Sequence, residues 1–213
     1  MSHYETLTDL ILVMIALTGS AQDWKLVKEK EGIQVYTRME EGRRLKDVRI
    51  VTTIDATLHE LVAALEDFSS PQSWVKNTVA SYKVEERSPS NFIFYTATEF
   101  PFPASDRDVV IEALRSQDSL SRTVRIDYNA VSGSVEKKEG YVRMPELNAH
   151  YTLTPVGDDK VAVDYYLRAD IGGSIPDWII NLAISIGPTD TMMALRAVLD
   201  TGKYSDAVVP QLH

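Results

Sequence analysis

Ser174-Ile175-Pro176-Asp177-Trp178-Ile179-Ile180-Asn181-Leu182-Ala183-Ile184-Ser185-Ile186 follows a long stretch of strand-like sequence and opens a helix. Its first turns are apolar on nearly every side, whereas a surface helix shows one apolar stripe and one polar face. Such a helix is either covered all round by protein or closes over something apolar that is not protein. Trp178, Leu182 and Ile186 recur at helical spacing and share one face, bordered by Ile179 and Ala183. As a group they are candidates for the roof of a cavity; each alone is equally well read as core. Gly187-Pro188 interrupts the pattern, because proline removes a backbone hydrogen bond and bends a helix. It separates a second half, Thr189–Asp200, and is either the hinge of a lid or a static bend.

Working back from this helix, the pattern is strand-rich. Trp24 to Thr37 reads as two extended runs around Glu31-Gly32, and Leu45 to Ile54 as a third, β-branched strand. Thr57 caps a helix over Leu58–Phe68, with Glu60 three residues on completing a capping box. Pro71 to Asn77 is a short helical turn or loop carrying Trp74. Further strands are predicted at Ala80–Arg87, Phe92–Phe100, Asp108–Ser116, Arg122–Val131, Tyr141–Pro155 and Val161–Asp170. Val124, Ile126, Tyr128 and Ala130 alternate with polar residues, as do Val161, Val163, Tyr165 and Leu167, which gives an antiparallel sheet with one apolar face. The expected fold is α+β: a long curved antiparallel sheet gripping a long C-terminal helix. About nine strands curl, one helix is too narrow to fill the curl, and the leftover volume is an apolar cavity.

Length fits one large domain, here residues 22–202, preceded by a distinct segment 1–21 and followed by a tail, 203–213. The net charge of −9 argues against nucleic acid, whose phosphates are met by Lys and Arg, and leaves any transient membrane contact to local apolar groups. With no cysteine, thiol nucleophiles, zinc–thiolate sites and disulfides are excluded. The four histidines show no metal-ligand spacing, and no cofactor is expected. Leu10–Leu17, followed by Thr18-Gly19-Ser20-Ala21, reads as a signal h-region with a small-residue cleavage site, which implies a periplasmic or secreted protein. Glu5 and Asp9 with no preceding Lys or Arg leave the alternative of an amphipathic first helix in a cytoplasmic protein.

The order of segments resembles the START family, the steroidogenic-acute-regulatory-protein-related lipid-transfer domains with their helix-grip fold. Four stretches carry the resemblance: Trp24–Glu29 with Glu31–Arg38, Ser73-Trp74, Asp106-Arg107-Asp108-Val109-Val110, and Gly173–Asn181. The resemblance implies one lipid or sterol-like apolar ligand held under the C-terminal helix, with binding and transfer rather than bond-making as the activity. Sterol-binding members of the family carry an internal acid in the strand matching Phe92–Phe100 and an arginine in the next. The matching positions here are Thr96 and Ala113, so sterol specificity does not carry over.

The ligand-lining candidates are Trp74, Tyr95, Phe100, Phe102, Ile111, Ile126, Tyr128, His150, Val163 and Tyr165 from the body of the domain. Trp178, Ile179, Leu182, Ala183 and Ile186 join them from the helix. Tyr95, Tyr128 and Tyr165 could each offer a hydroxyl in a dry pocket. The apolar loop Phe100–Ala104 either guards the pocket mouth or tucks under the sheet edge. Arg107 and Asp108 read first as adjacent charges making structural salt bridges at a strand start, and His150 first as a satisfied strand side chain. A cyclase- or aromatase-like enzyme on the same fold would need a positioned acid or base, with Glu99, Asp108 and His150 as the nearby candidates. A ligand sensor is the third reading.

Overall fold

The computed structural model describes residues 24–69, 74–176, 178–180 and 187–213. The signal-like segment therefore lies outside the described residues, as do Leu182, Ala183 and Ile186 of the expected cavity roof.

Among the described residues, ten strands and two helices follow one another as β1 (Lys25–Lys30), β2 (Ile33–Arg38), β3 (Asp47–Asp55), α1 (Leu58–Glu66), β4 (Thr78–Ser88), β5 (Asn91–Thr98), β6 (Asp106–Gln117), β7 (Val124–Ala130), β8 (Tyr141–Arg143), β9 (Glu146–Pro155), β10 (Lys160–Asp170) and α2 (Gly187–Asp200), with Trp178–Ile180 also helical. Nine strands form one antiparallel path in the order β1-β2-β3-β10-β9-β7-β6-β5-β4. The expected single strand Tyr141–Pro155 is two strands, broken around Met144-Pro145. β8 leaves the path and pairs in parallel with the start of β6, Asp106 opposite Tyr141. Pro145 has no N–H to give a ladder, which suits it to such a break.

Period-two alternation gives the sheet an inner and an outer face. On the inner face, Val48, Ile50 and Ile54 of β3, Val124, Ile126 and Tyr128 of β7, Ala149, Tyr151 and Leu153 of β9, and Val161 and Val163 of β10 form one core with α1 and α2. α1 starts as its sequence predicts, with the Thr57 side chain accepting from the Glu60 backbone and the Glu60 carboxylate accepting from Thr57 N–H. It buries Leu58, Leu61, Val62, Ala64 and Leu65. α2 packs on α1, β2 and β3 through Met192 and Leu195. Arg196 on α2 donates to Glu31 O at 2.8 Å and to Thr53 O at 2.9 Å. The last residues are no loose tail, because Tyr204, Val209 and Leu212 are buried in the same core.

The outer face carries two polar or mixed clusters. Asp47, 1% exposed, accepts from Arg38, Arg168 and Tyr166 at 2.8–3.0 Å. Under β4, β5 and β6 a second small core of Ile93, Tyr95, Ala97 and Val110 is covered by Val131, Val135 and Tyr141.

Candidate functional site

The inner face of β6 sets the length of the site. Alternate residues Arg107, Val109, Ile111, Ala113 and Arg115 are each 5% exposed or less. Eight residues of strand span about 27 Å, so an apolar floor is closed at each end by a buried arginine. At the deep end, Arg115 donates to Glu66 at 2.7 Å, to Pro89 O at 2.8 Å and to Pro210 O at 3.1 Å. Burial raises the Glu66 carboxyl above its ordinary range, and the Arg115 charge works against that rise. A buried acid–arginine pair is therefore present, but as Glu66 and Arg115 rather than at Thr96 and Ala113. Sequence reading missed it because Glu66 sits on a helix and the pairing is long-range.

Beside this end stand three tyrosines. Tyr128 and Tyr151 meet edge to face at 6.0 Å between ring centroids, and Tyr151 and Tyr165 lie 4.5 Å apart. Phe94 meets Tyr128 edge to face at 6.1 Å. Burial raises the pKa of all three phenols, so they stay protonated donors. All three pack on the inner face, Tyr128 and Tyr151 buried in its core and Tyr165 against it. A phenol on this face can donate to a ligand oxygen.

The opposite end is flanked by a pocket, termed the mouth. This pocket, of about 380 Å³, lies between the 42–45 loop and the 169–175 segment, with Arg43, Arg44, Glu146, Gly172 and Ile180 among its walls. Arg43 pairs with Glu146 at 3.1 Å, and Arg44 donates to Ile175 O. Arg107 donates to Ile171 O at 3.2 Å, to Gly172 O at 3.1 Å and to Ser105 O, and lies 5.0 Å from the centre of the Phe100 ring. Gly172 and Gly173 both have positive φ, and a Cβ on Gly173 would stand 3.4 Å from Arg107 Nη2. Only glycine gives the wall this turn without strain.

Trp74, Ile111, Ile126, Tyr128 and Val163 are buried in the inner core, and Tyr165 packs against it. Phe100 is half-buried at the mouth under Arg107. The other candidates are not brought to this site. Tyr95 belongs to the outer cluster, stacked on Tyr82 at 5.0 Å, because its face of β5 is covered by Val131 and Val135. His150 is on the outer face of β9, stacked on Tyr166 at 5.1 Å, and burial and then the Arg125 charge lower its pKa. Phe102 is 92% exposed at its loop tip. Trp178 is half-exposed and its neighbour Ile179 is buried, so the inward direction at this turn is that of Ile179. Consecutive strand residues face opposite ways, so Arg107 and Asp108 are held separately. Asp108 faces outward and is held by Arg143 at 2.8 and 2.9 Å. Glu99 is exposed, so the three acid–base candidates do not converge. Among the described residues no three His, Asp or Glu side chains are placed to hold a metal ion, and no helix is long and apolar enough to cross a membrane.

Comparison with known proteins agrees with this geometry. The START domain family profile matches residues 7–203, and the chain belongs to the START family. An uncharacterised protein of Pseudomonas aeruginosa is 29% identical over 91% of this chain and 96% of its own length. Phosphatidylcholine transfer protein of Rattus norvegicus is 26% identical, over 81% of this chain and 80% of its own. The crystal structure of a STAR-related lipid transfer protein fragment from Xanthomonas axonopodis superposes with a TM-score of 0.76 at 30% identity, covering 83% of this chain and 98% of that one. Lipid binding and lipid transfer are the activities these relatives support.

Proposed function

We propose that this protein holds one lipid molecule between the inner face of its sheet and its C-terminal helix, which closes over it, and carries that lipid between membranes. The observation that carries the reading is the row of Tyr128, Tyr151 and Tyr165, three protonated phenols on an otherwise apolar inner face. A lipid matches both, with apolar chains for the floor and oxygens to accept from the phenols. Burial of its chains contributes roughly 25 cal/mol per Å² before ordering costs. The similarity to a phosphatidylcholine transfer protein makes a phospholipid the first ligand to try. Exposed Phe102 and half-exposed Trp178 are the apolar groups for a transient membrane contact. Glu99 is exposed, Asp108 is held by Arg143 and His150 stacks on Tyr166 on the outer face, which supports a carrier over a cyclase.

The test is to purify the protein under native conditions and identify co-purifying small molecules by mass spectrometry after denaturation. A stoichiometric lipid supports the carrier. An empty protein that also takes no lipid from phosphatidylcholine vesicles overturns it and favours an enzyme or sensor.

A further inference from the structure

We propose that Arg107 couples the Phe100–Ser105 loop to the 171–173 wall of the mouth pocket, so that the two segments open as one unit and set the rate of ligand exchange. This rests on the carrier reading for its consequence, though not for its geometry.

Arg107 is 2% exposed, yet among the described residues it has no ion-pair partner. A buried guanidinium is costly unless its donors are satisfied. Here every acceptor is a main-chain carbonyl, and the acceptors come from two segments far apart in sequence. Ser105 O ends the loop between β5 and β6, whereas Ile171 O and Gly172 O lie just past β10. The Phe100 ring, at the start of the same loop, lies against the guanidinium. β8 also lies between them, paired with Asp106–Asp108 and with Val142 beside Gly172, but among the described residues the side-chain hydrogen bonds that reach both segments come from Arg107. The loop's own main-chain bonds are internal, Ala104 N to Pro101 O at 3.1 Å, with Phe100 N donating to Asp106 at 3.0 Å.

The rigid planar fork of arginine explains why this residue type stands here. A lysine ammonium is a point donor on a flexible stem and cannot hold separated carbonyls in one plane. Moving either segment alone would strip donors from the buried guanidinium or orphan the carbonyls left behind. Moving both with Arg107 keeps them paired, so the shared displacement is the cheaper one. Arg107 is thus a positioning residue for the mouth.

Native-state hydrogen exchange on the full-length protein tests this directly. In the unmodified protein, the hydrogen-bonded amides of Phe100 and Ala104 should exchange with the same opening rate as that of Gly172. Arg107→Lys should raise the opening rate of both segments, make the two rates diverge, and speed release of fluorescent phosphatidylcholine to acceptor vesicles by about tenfold. Unequal opening rates in the unmodified protein would overturn the coupling, and that measurement decides even where Arg107→Lys fails to fold. Equal rates in a protein that takes up no lipid would leave the coupling standing and remove the carrier reading. Lipid exchange with unequal opening rates would do the reverse.

Discussion

Tyr151 and Tyr165 are direct cross-strand partners in the β9–β10 ladder, and their rings lie 4.5 Å apart on the inner face. Two large aromatic groups paired in this way stabilise the sheet through their rings. Their hydroxyls add nothing to that packing. Tyr151→Phe and Tyr165→Phe should therefore leave the melting temperature within about 2 °C of the unmodified protein. Each should weaken lipid retention by about tenfold in a vesicle partition assay, the value of roughly one hydrogen bond. Equal retention by both variants would remove these hydroxyls from the site.

The end of α1 is tied to the C-terminal segment by a single carboxylate. Burial alone would raise the Asp67 carboxyl, but bonds from Ser69, Lys203 and Tyr204 outweigh it and hold the group at about 2. The folded value lies below the ordinary 3.8, so this tie contributes its full stability above that value and loses it as pH falls toward 2. Thermal unfolding followed from about pH 5 down to about pH 2 should show a decline that Asp67→Asn diminishes. The same variant should lose about 1–2 kcal/mol at neutral pH. A parallel pH profile in the variant would show that the tie is not formed.

Arg196 fastens α2 to the β1–β2 turn and to β3 through Glu31 O, Thr52 Oγ1 and Thr53 O. Arg196→Ala should cost about 2 kcal/mol in urea unfolding, since it leaves main-chain acceptors unpaired. Amides of residues 187–200 should lose protection first. Uniform loss of protection across the sheet would argue that the helix is held by Met192 and Leu195 alone.

Phe102 and Trp178 sit in exposed positions, so replacing them touches little packing. Phe102→Asp and Trp178→Asp should leave thermal stability nearly unchanged, within about 0.5 kcal/mol. Each should slow lipid transfer between vesicles by about tenfold, because an apolar membrane anchor is replaced by a charge that anionic surfaces repel. Unchanged transfer in the double variant would place membrane contact elsewhere.

The fold was legible because its local signals are strong and agree with one another. The Thr57–Glu60 capping box, the Glu31-Gly32 turn and the alternation of β7 and β10 all stand where the sequence puts them. The site was legible only in part, and its errors are errors of phase. Choosing His150 over Tyr151 slips one residue along β9, which exchanges inner for outer face. Tyr95 failed for a related reason. Both faces of β5 are apolar because the 131–141 segment covers the outer one, so alternation there carries no sign. The burial of Val209 and Leu212, and the pairing of Glu66 with Arg115, depend on residues brought together from distant parts of the chain. No local pattern announces such contacts.

The strand order also constrains how the chain is made. β3 is an interior strand, third of nine, with β10 as its neighbour in a register running from Asp55 opposite Lys160 to Val48 opposite Leu167. Those partners are separated by more than a hundred residues. At about 5–20 residues per second, a ribosome delivers β10 several seconds after β3, leaving an apolar strand edge open throughout that interval. Closing so long a loop also makes this pairing intrinsically slow. The nascent β1–β3 unit is therefore the part of the molecule most in need of chaperone cover, and truncation before Lys160 should give insoluble protein rather than a smaller folded domain.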